Sequence, residues 1–363
     1  MRLLDATLRE GEQRSGRSFS VDQKVDCARL LDDLGIDSIQ VGFPIAQDGT
    51  AEVCERAEVS AQLVGIARAL ERDIDAAREA GVDVVEFGIP VSDIQREHVL
   101  GASRSEVVEK AVGIEAYARE QGLETFVSAQ DAFRADPDLL NDLAAAVEPA
   151  TFTLLDTVGA ATPATVDRYL ADIEAEPDRL GVHFHNDLGV GTANVLQAAE
   201  HGVQKADVTV GGIGERVGNA PLEEVVTAGT TGTTEIDFGV ETERLIPTCR
   251  RVLDRLDEPI PPHKPVLGET AFEHESGMHT ATMLDEPAVY EAYDPSRFGG
   301  ERRLLFGPSS GGGASRRLLE RAGASDPSED LVEQFLEELR SLEEHVSYDA
   351  AVELARETVE ESD

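Results

Sequence analysis

Two histidines stand two residues apart in Gly181-Val-His-Phe-His-Asn-Asp-Leu-Gly189, a segment that reads as a β-strand. Side chains along a strand alternate faces, so His183 and His185 point the same way and two ring nitrogens can converge on one divalent cation. Hydrogen-bonded core histidines would fit the same pattern. Two further stretches bear on the choice. Thr7-Leu-Arg-Glu-Gly-Glu-Gln13 places Arg9 and Glu10 just after the first strand-like run. A carboxylate added to two imidazoles makes a set with coordination positions left open for substrate. Gly211-Gly-Ile-Gly-Glu-Arg-Val-Gly-Asn219 follows the last strand-like run. Its glycines permit close backbone approach, and Asn219 offers an amide oxygen to a cation or a bound water. Singly, these stretches could be a capping segment and an ordinary loop; their coincidence at neighbouring strand ends is what points to one site.

The elements that must position these residues follow a regular rhythm. Short apolar runs at 3–5, 38–42, 63–67, 82–87, 124–128, 151–155, the double-histidine segment and 206–210 read as strands. Helical spacing follows them at 21–34, 48–57, 71–80, 103–120, 138–147, 163–175, from 193 onward and at 222–228. Eight strand–helix units in about 230 residues is the count of a closed α/β TIM (β/α)8 barrel, whose chemistry sits at the C-terminal strand ends. Closure makes strands one, seven and eight neighbours, which brings the three motifs to one place. An open doubly wound sheet is disfavoured, because no Gly-x-Gly-x-x-Gly follows the first strand and the chain has no P-loop. The expected division is a barrel over 1–240 and smaller C-terminal subdomains over 241–363. That second region opens with a helix at 245–256, crosses the proline-rich 259–265, has a Gly/Ser-rich loop at 307–313 and ends in an acidic helical tail at 329–360.

The chain has 363 residues, of which 41% are hydrophobic, enough for a sizeable core. Its 72 acidic residues outnumber 32 basic ones, giving a net charge of -40, and lysine occurs only at 24, 110, 205 and 264. Regular apolar periods rule out a disordered acidic chain, so the charge belongs to a folded surface and suggests adaptation to a high-salt cytoplasm. Nucleic acid and anionic membranes are poor partners for it. Cys27, Cys54 and Cys249 have no paired spacing and read as buried small hydrophobes. A signal-peptide pattern and a membrane-length apolar run are both missing, so a soluble, cytoplasmic protein is expected.

Asp5-x-Thr-Leu-Arg-Glu-Gly-Glu-Gln13, His183-Phe-His-Asn-Asp-Leu-Gly189 and Gly212-Ile-Gly-Glu-Arg-Val-Gly-Asn219 resemble the signatures of the DRE-TIM metallolyase family, in the branch of 2-isopropylmalate, homocitrate and citramalate synthases. The resemblance implies a metal-dependent barrel that condenses acetyl-CoA with a 2-oxo acid and hydrolyses the thioester. It implies Glu10, His183 and His185 as ligands of a divalent metal (Zn, Mn, Mg or Co), with Asn219 at or next to the metal. Arg9 would stabilise the oxyanion that develops on the keto oxygen. His279 of Glu275-Ser-Gly-Met-His279 and Tyr290 of Val289-Tyr-Glu-Ala-Tyr-Asp-Pro295 match a histidine and a tyrosine that reach into a partner subunit's site, which implies a homodimer. Thr157 matches a residue that contacts the oxo acid carboxylate, and Gln13 and Gln130 complete the expected substrate-binding set.

The chain departs from the family at several positions. Gln130 stands where a carboxylate is usual, so that role is dispensable or passes to Asp131. Gln95 replaces a common histidine, and Pro308-Ser-Ser-Gly311 replaces Lys-His-Ser-Gly. Glu10 leans toward homocitrate synthases, whereas Gly42-Phe-Pro44 and Gly218-Asn219 lean toward isopropylmalate synthases. No leucine-binding regulatory domain is expected. A lyase of the hydroxymethylglutaryl-CoA type and a non-catalytic metal-binding homologue are the competing readings.

Overall fold

The structure, a computed structural model, describes residues 1–47, 49–232 and 235–362. It comprises two compact units, Met1–Ile260 and Pro261–Asp363. In the first, eight parallel strands close on themselves in sequence order: β1 (Arg2–Asp5), β2 (Ser38–Gly42), β3 (Gln62–Arg68), β4 (Val84–Pro90), β5 (Glu124–Gln130), β6 (Thr151–Asp156), β7 (Leu180–Phe184) and β8 (Lys205–Val208). The closing pair sets Leu3 beside Ala206 and Asp5 beside Val208, so the TIM barrel read from the strand count is the fold observed.

The helices between the strands begin and end where local chemistry dictates. Ser20 and Ser103 start Val21–Leu34 and Arg104–Glu120 with reciprocal capping boxes to Gln23 and Glu106. Asp136 and Thr162 cap helices that have proline in the first turn. Gly35 ends the first long helix in the left-handed region, at φ 99°. The helix after β2 runs Thr50–Ala57; its expected first residue, Asp48, lies outside the described residues.

The barrel interior changes character along its axis. Leu4, Ala6, Val64, Val84 and Phe126 form an apolar plug. Two positions further along the same strands, Glu86 and Ser128 take the place of Val84 and Phe126. They are buried, as are Gln40, Lys205, Asp207 and His183. A polar layer therefore lies between the plug and the C-terminal rim.

The helix Leu245–Arg255, expected to open the second region, belongs to the first unit, where it buries Ile246, Cys249, Val252 and Leu253. Its apolar stripe gives the reason, since four large or medium apolar side chains at helical spacing need a core to face. In the second unit, β10 (Arg303–Phe306) lies between β9 (Glu273–His274) and β11 (Val346–Ser347). Phe306, Leu318, Phe335, Leu339, Ala351 and Ala355 form its core. The acidic helical tail expected over 329–360 is two helices, Glu329–Ser341 and Tyr348–Ser362. Between them the chain extends so that Val346 and Ser347 pair with Phe306 and Leu305, and each helix turns its own apolar residues into the same core.

Candidate functional site

Chain direction leaves β1 with Asp5, whose carboxylate accepts hydrogen bonds from the Thr7 backbone N–H (3.0 Å) and hydroxyl (2.9 Å). The Thr7 hydroxyl oxygen in turn accepts the Val210 N–H at 2.8 Å, tying the turn after β1 to the end of β8. The short helical turn Thr7–Glu10 that follows is thereby fixed, and it places Arg9 and Glu10 at the rim.

His183 and His185 come up on β7 and just beyond it, with ring centroids 5.1 Å apart. Glu10, His183 and His185 each offer a ligand atom, and these atoms lie within 4.8 Å of one another. His183 Nε2 is 3.7 Å from Glu10 Oε1, and its Nδ1 is 3.1 Å from Asp207 Oδ2. His183 and Asp207 sit side by side in the register of β7 and β8. The Asp207 carboxylate accepts the Nδ1–H, which leaves the Nε2 lone pair facing the centre of the site. Asp207 is held by Lys205 Nζ at 2.5 Å.

Asn219 reaches this point because the glycine segment before it folds back tightly. Gly218 has φ 88° and its carbonyl accepts the Asn186 N–H, while a Cβ on Gly218 would lie 1.7 Å from Gly212 O. A Cβ on Gly214 would lie 2.1 Å from Asn219 Oδ1. Only glycine fits at either position. Asn219 is buried and pairs with His185 in an isolated antiparallel bridge, with its Nδ2 3.0 Å from His183 Nε2.

The electrostatics favour a cation. Burial works against charge on Glu10, but Arg9 first, then His183 and His185, hold its carboxyl below the usual range, so it is ionised. Burial also disfavours a charged His183, yet the hydrogen bond and charge of Asp207, with Glu10, raise its affinity for a proton. His185 is pushed down to about 3 by burial and by His183, and stays neutral, as a metal ligand must. Glu10 Oε2, His185 Nδ1 and Asn219 Oδ1 are buried without a hydrogen-bond partner among the described residues. Unpartnered buried acceptors are costly unless something positive satisfies them, and carboxylate, imidazole and amide oxygen are donors that suit a divalent metal.

The other expected residues are placed as follows. Arg9 pairs with Glu10, and its Nη1 donates to Gln13 Oε1 at 3.2 Å, so Gln13 joins the rim cluster. Thr157 follows β6, and its hydroxyl oxygen accepts the Asp131 N–H at 2.8 Å. Gln130 ends β5 and lies over Gly88, where a Cβ would come 2.4 Å from its amide nitrogen. Asp131, the neighbouring carboxylate, is engaged by partners outside the Glu10–His183–His185 cluster. It is buried, and its oxygens accept from Ser92 Oγ (2.5 Å) and from Arg134 Nε and Nη2 (2.8 and 2.6 Å). In the second unit, the rings of His279 and Tyr290 stack with centroids 4.0 Å apart.

The reading of the sequence missed two features. Lys205 and Asp207 stand two apart on β8, so their shared face was available from strand alternation, and the expected position of β8 beside β7 put that face next to His183. The second is a clasp across three loops. Arg216 donates to both oxygens of Asp187 (2.8 and 2.9 Å) and to Thr157 O (3.1 Å), joining the segments after β8, β7 and β6. Arg216 holds a left-handed backbone, φ 57°, which no pattern in the sequence announces.

A sequence model described as HMGL-like matches residues 1–252, and one described as homocitrate synthase post-HMGL domain-like matches 266–347. The chain belongs to the HMGL-like family. Within that family it is 39% identical over 345 residues to a homocitrate synthase of Methanopyrus kandleri, covering 93% of this chain and 86% of the relative. It is 36% identical over 367 residues to the 2-isopropylmalate synthase of Sulfurisphaera tokodaii, covering 98% and 95%. These relatives place it in the synthase branch of the HMGL-like family. Among solved structures, the HMG-CoA lyase of Bacillus subtilis superposes with a TM-score of 0.64 at 20% identity, over 72% of this chain and 95% of that one. The lyase of Pseudomonas aeruginosa gives 0.64 at 23%, over 71% and 93%. Both carry the same barrel.

Proposed function

We propose that this protein condenses acetyl-CoA with a 2-oxo acid and hydrolyses the thioester, as a synthase of the homocitrate or 2-isopropylmalate type in amino-acid biosynthesis. The observation that carries the reading is the meeting of Glu10, His183 and His185 at one buried point with unpartnered acceptor atoms, in a chain matched over nearly its whole length by such synthases.

Glu10, His183 and His185 would hold a divalent metal, and Asn219 would lie at or next to it; Zn, Mn, Mg and Co all suit these donors. When bound, the metal acts as a Lewis acid on the 2-oxo acid carbonyl. Arg9 donates to the oxygen on which negative charge develops. The Thr157 oxygen already accepts from Asp131 N–H, so its own O–H is free to donate to the substrate carboxylate. Gln13 and Gln130 hold substrate or water by hydrogen bonds. His279 and Tyr290 serve the acetyl-CoA methyl group: a proton leaves that carbon, the resulting carbon nucleophile bonds to the keto carbon, and the keto oxygen gains a proton. Water then cleaves the thioester, releasing CoA as the free thiol and leaving the former acetyl group as a new carboxylate on the product.

A homodimer, with His279 and Tyr290 serving the partner's barrel, is supported by exposed apolar side chains. In the second unit Met278, Val289 and Tyr290 flank His279 and are exposed. In the barrel Ile45, Ile94, Val99, Leu188 and Val217 are exposed on segments that follow strand ends. Such residues at two functional rims fit surfaces covered on assembly. A cytoplasmic location and a high-salt environment accord with the acidic surface, and no described helix is long and apolar enough to cross a membrane.

The test is thiol release from acetyl-CoA in high-salt buffer with Mn or Mg, offered 2-oxoisovalerate, 2-oxoglutarate, pyruvate and oxaloacetate in turn. Release with one oxo acid, lost in Glu10→Ala, establishes the synthase and its substrate. Silence with all four, metal still bound, refutes it.

A further inference from the structure

In the second unit the rings of His279 and Tyr290 lie nearly parallel, 24° between planes, but the two residues are held by different means. His279 stands on the helix Gly277–Met283, whose Ala281 and Met283 enter the core that also contains Leu304 and Phe306 of β10. The start of that helix is fixed by close packing, since a Cβ on Gly277 would lie 2.4 Å from Ser309 O. Tyr290 stands on less regular chain. It caps a single 3-10 turn, Pro287–Val289, its side chain is exposed, and the next regular element begins only at Pro295.

The residue after Tyr290 supplies an anchor. The Glu291 side chain is 8% exposed, and its carboxylate accepts hydrogen bonds from Arg302 Nε and, at 2.6 Å, from Arg302 Nη2. Arg302 Nη2 also approaches Asp294 Oδ1 at 3.7 Å. Arg302 immediately precedes β10, the central strand of its sheet, so the fork ties the Tyr290 segment to the strand that shares a core with the His279 helix. Two parallel N–H···O bonds between planar groups set direction as well as distance. Tyr293 adds a second hold, edge-on to Phe272 and to the buried Phe298. An ion pair this far out of water gains little stability over apolar packing. What it adds is a fixed orientation for the residue beside it.

We propose that Glu291 and Arg302 are positioning residues for the condensation: their fork keeps the Tyr290 phenol stacked on the His279 imidazole, so that the two groups meet the acetyl-CoA methyl group as one preorganised pair. The inference rests on the synthase reading and on the role it gives His279 and Tyr290. Glu291 and Arg302 act through the segment they hold.

The test uses the full chain with isotope-labelled histidine, assayed for thiol release and bound metal and observed by NMR. An imidazole lying on a phenol ring is shielded by the ring current. The His279 ring-proton resonance is assigned by its loss in His279→Gln, and Tyr290→Leu gives its position without the phenol. In Arg302→Gln the resonance moves most of the way to the Tyr290→Leu position. The same variant loses about tenfold or more in kcat, because small misplacements of a catalytic group cost rates of that order, while KM for the oxo acid and bound metal keep their wild-type values. A general loss of stability would not single out one resonance or separate kcat from KM. Arg302→Lys keeps the positive charge but cannot hold both oxygens; it moves the resonance the same way and lowers kcat, and it decides the matter if Arg302→Gln does not fold. With an active wild type, an unmoved resonance or an unchanged kcat in the folded variant overturns the inference. Silence of the wild type with every oxo acid is a different result: it refutes the synthase reading and this role with it, even where the resonance moves.

Discussion

His183 Nδ1 and Asp207 Oδ2 lie 3.1 Å apart on side-by-side positions of neighbouring strands, and Lys205 holds the same carboxylate from below. The pair sets which imidazole nitrogen is free at the centre of the site. Replacing Asp207 with Asn removes the charge and allows the amide to donate to Nδ1, which reverses the tautomer. Loss of such a carboxylate behind a liganding histidine weakens metal binding by about 10- to 100-fold. Competition between the protein and a chelator for Mn or Zn measures this, with circular dichroism to confirm the fold. Unaltered affinity in Asp207→Asn would mean that His183 needs no carboxylate behind it.

The difference between what was and was not legible in the sequence follows from range. Strand count, the helix limits at Leu34 and Ala80, and the three rim motifs depend on neighbours within a few residues, and the barrel they imply is the fold observed. The meeting of Glu10, His183 and His185 needed only strand alternation and closure of β1 on β8. Gln40, Glu86 and Ser128 stand on three different strands, and nothing local says that their side chains meet. Asp131 looked available because its neighbour Gln130 is on the sheet, but at φ 64° it leaves the strand and is held by Arg134 and Ser92. Tertiary pairing likewise divides the acidic tail at Val346.

The clasp of Arg216 on Asp187 and Thr157 O holds the segment that carries the Thr157 hydroxyl. Removing the guanidinium in Arg216→Ala forfeits a two-pronged charge-assisted contact worth about 1.5 kcal/mol, so KM for the oxo acid rises about tenfold while bound metal is unchanged. Arg216→Gly separates contact from strain: glycine accepts φ 57° freely, so it shows the same KM defect with less loss of stability than alanine. A normal KM in both variants would show that the clasp does not act on the substrate.

The net charge of -40 on 363 residues makes self-repulsion a large term at low ionic strength. The Debye length falls from about 10 Å in 0.1 M salt to about 3 Å in 1 M. The thermal midpoint is therefore expected to rise steadily from 0.1 to 2 M KCl, opposite to what screening of the surface ion pairs alone would give. A midpoint that is flat or falls with KCl would sink the high-salt adaptation.

Asp5 offers a pH dependence that can be isolated from the many exposed carboxylates. Burial pushes its carboxyl from the ordinary 3.8 up to about 7, only partly offset by the Thr7 hydrogen bonds, with Glu223 adding a smaller push upward. The folded state thus binds the Asp5 proton more tightly than the unfolded chain. Below the unfolded value both states are protonated, and the group costs nothing. Between about 4 and 7 only the folded state keeps the proton, so stability falls as pH rises, and above 7 the loss is complete. Asp5→Asn keeps an acceptor for Thr7 N–H and cannot ionise. Compared with wild type by urea unfolding in high salt, the variant should be near parity at pH 4 and more stable by a few kcal/mol at pH 7.5, on the order set by such a shift. A difference that does not change with pH would show that Asp5 is ionised in the folded protein throughout, held so by Thr7 alone.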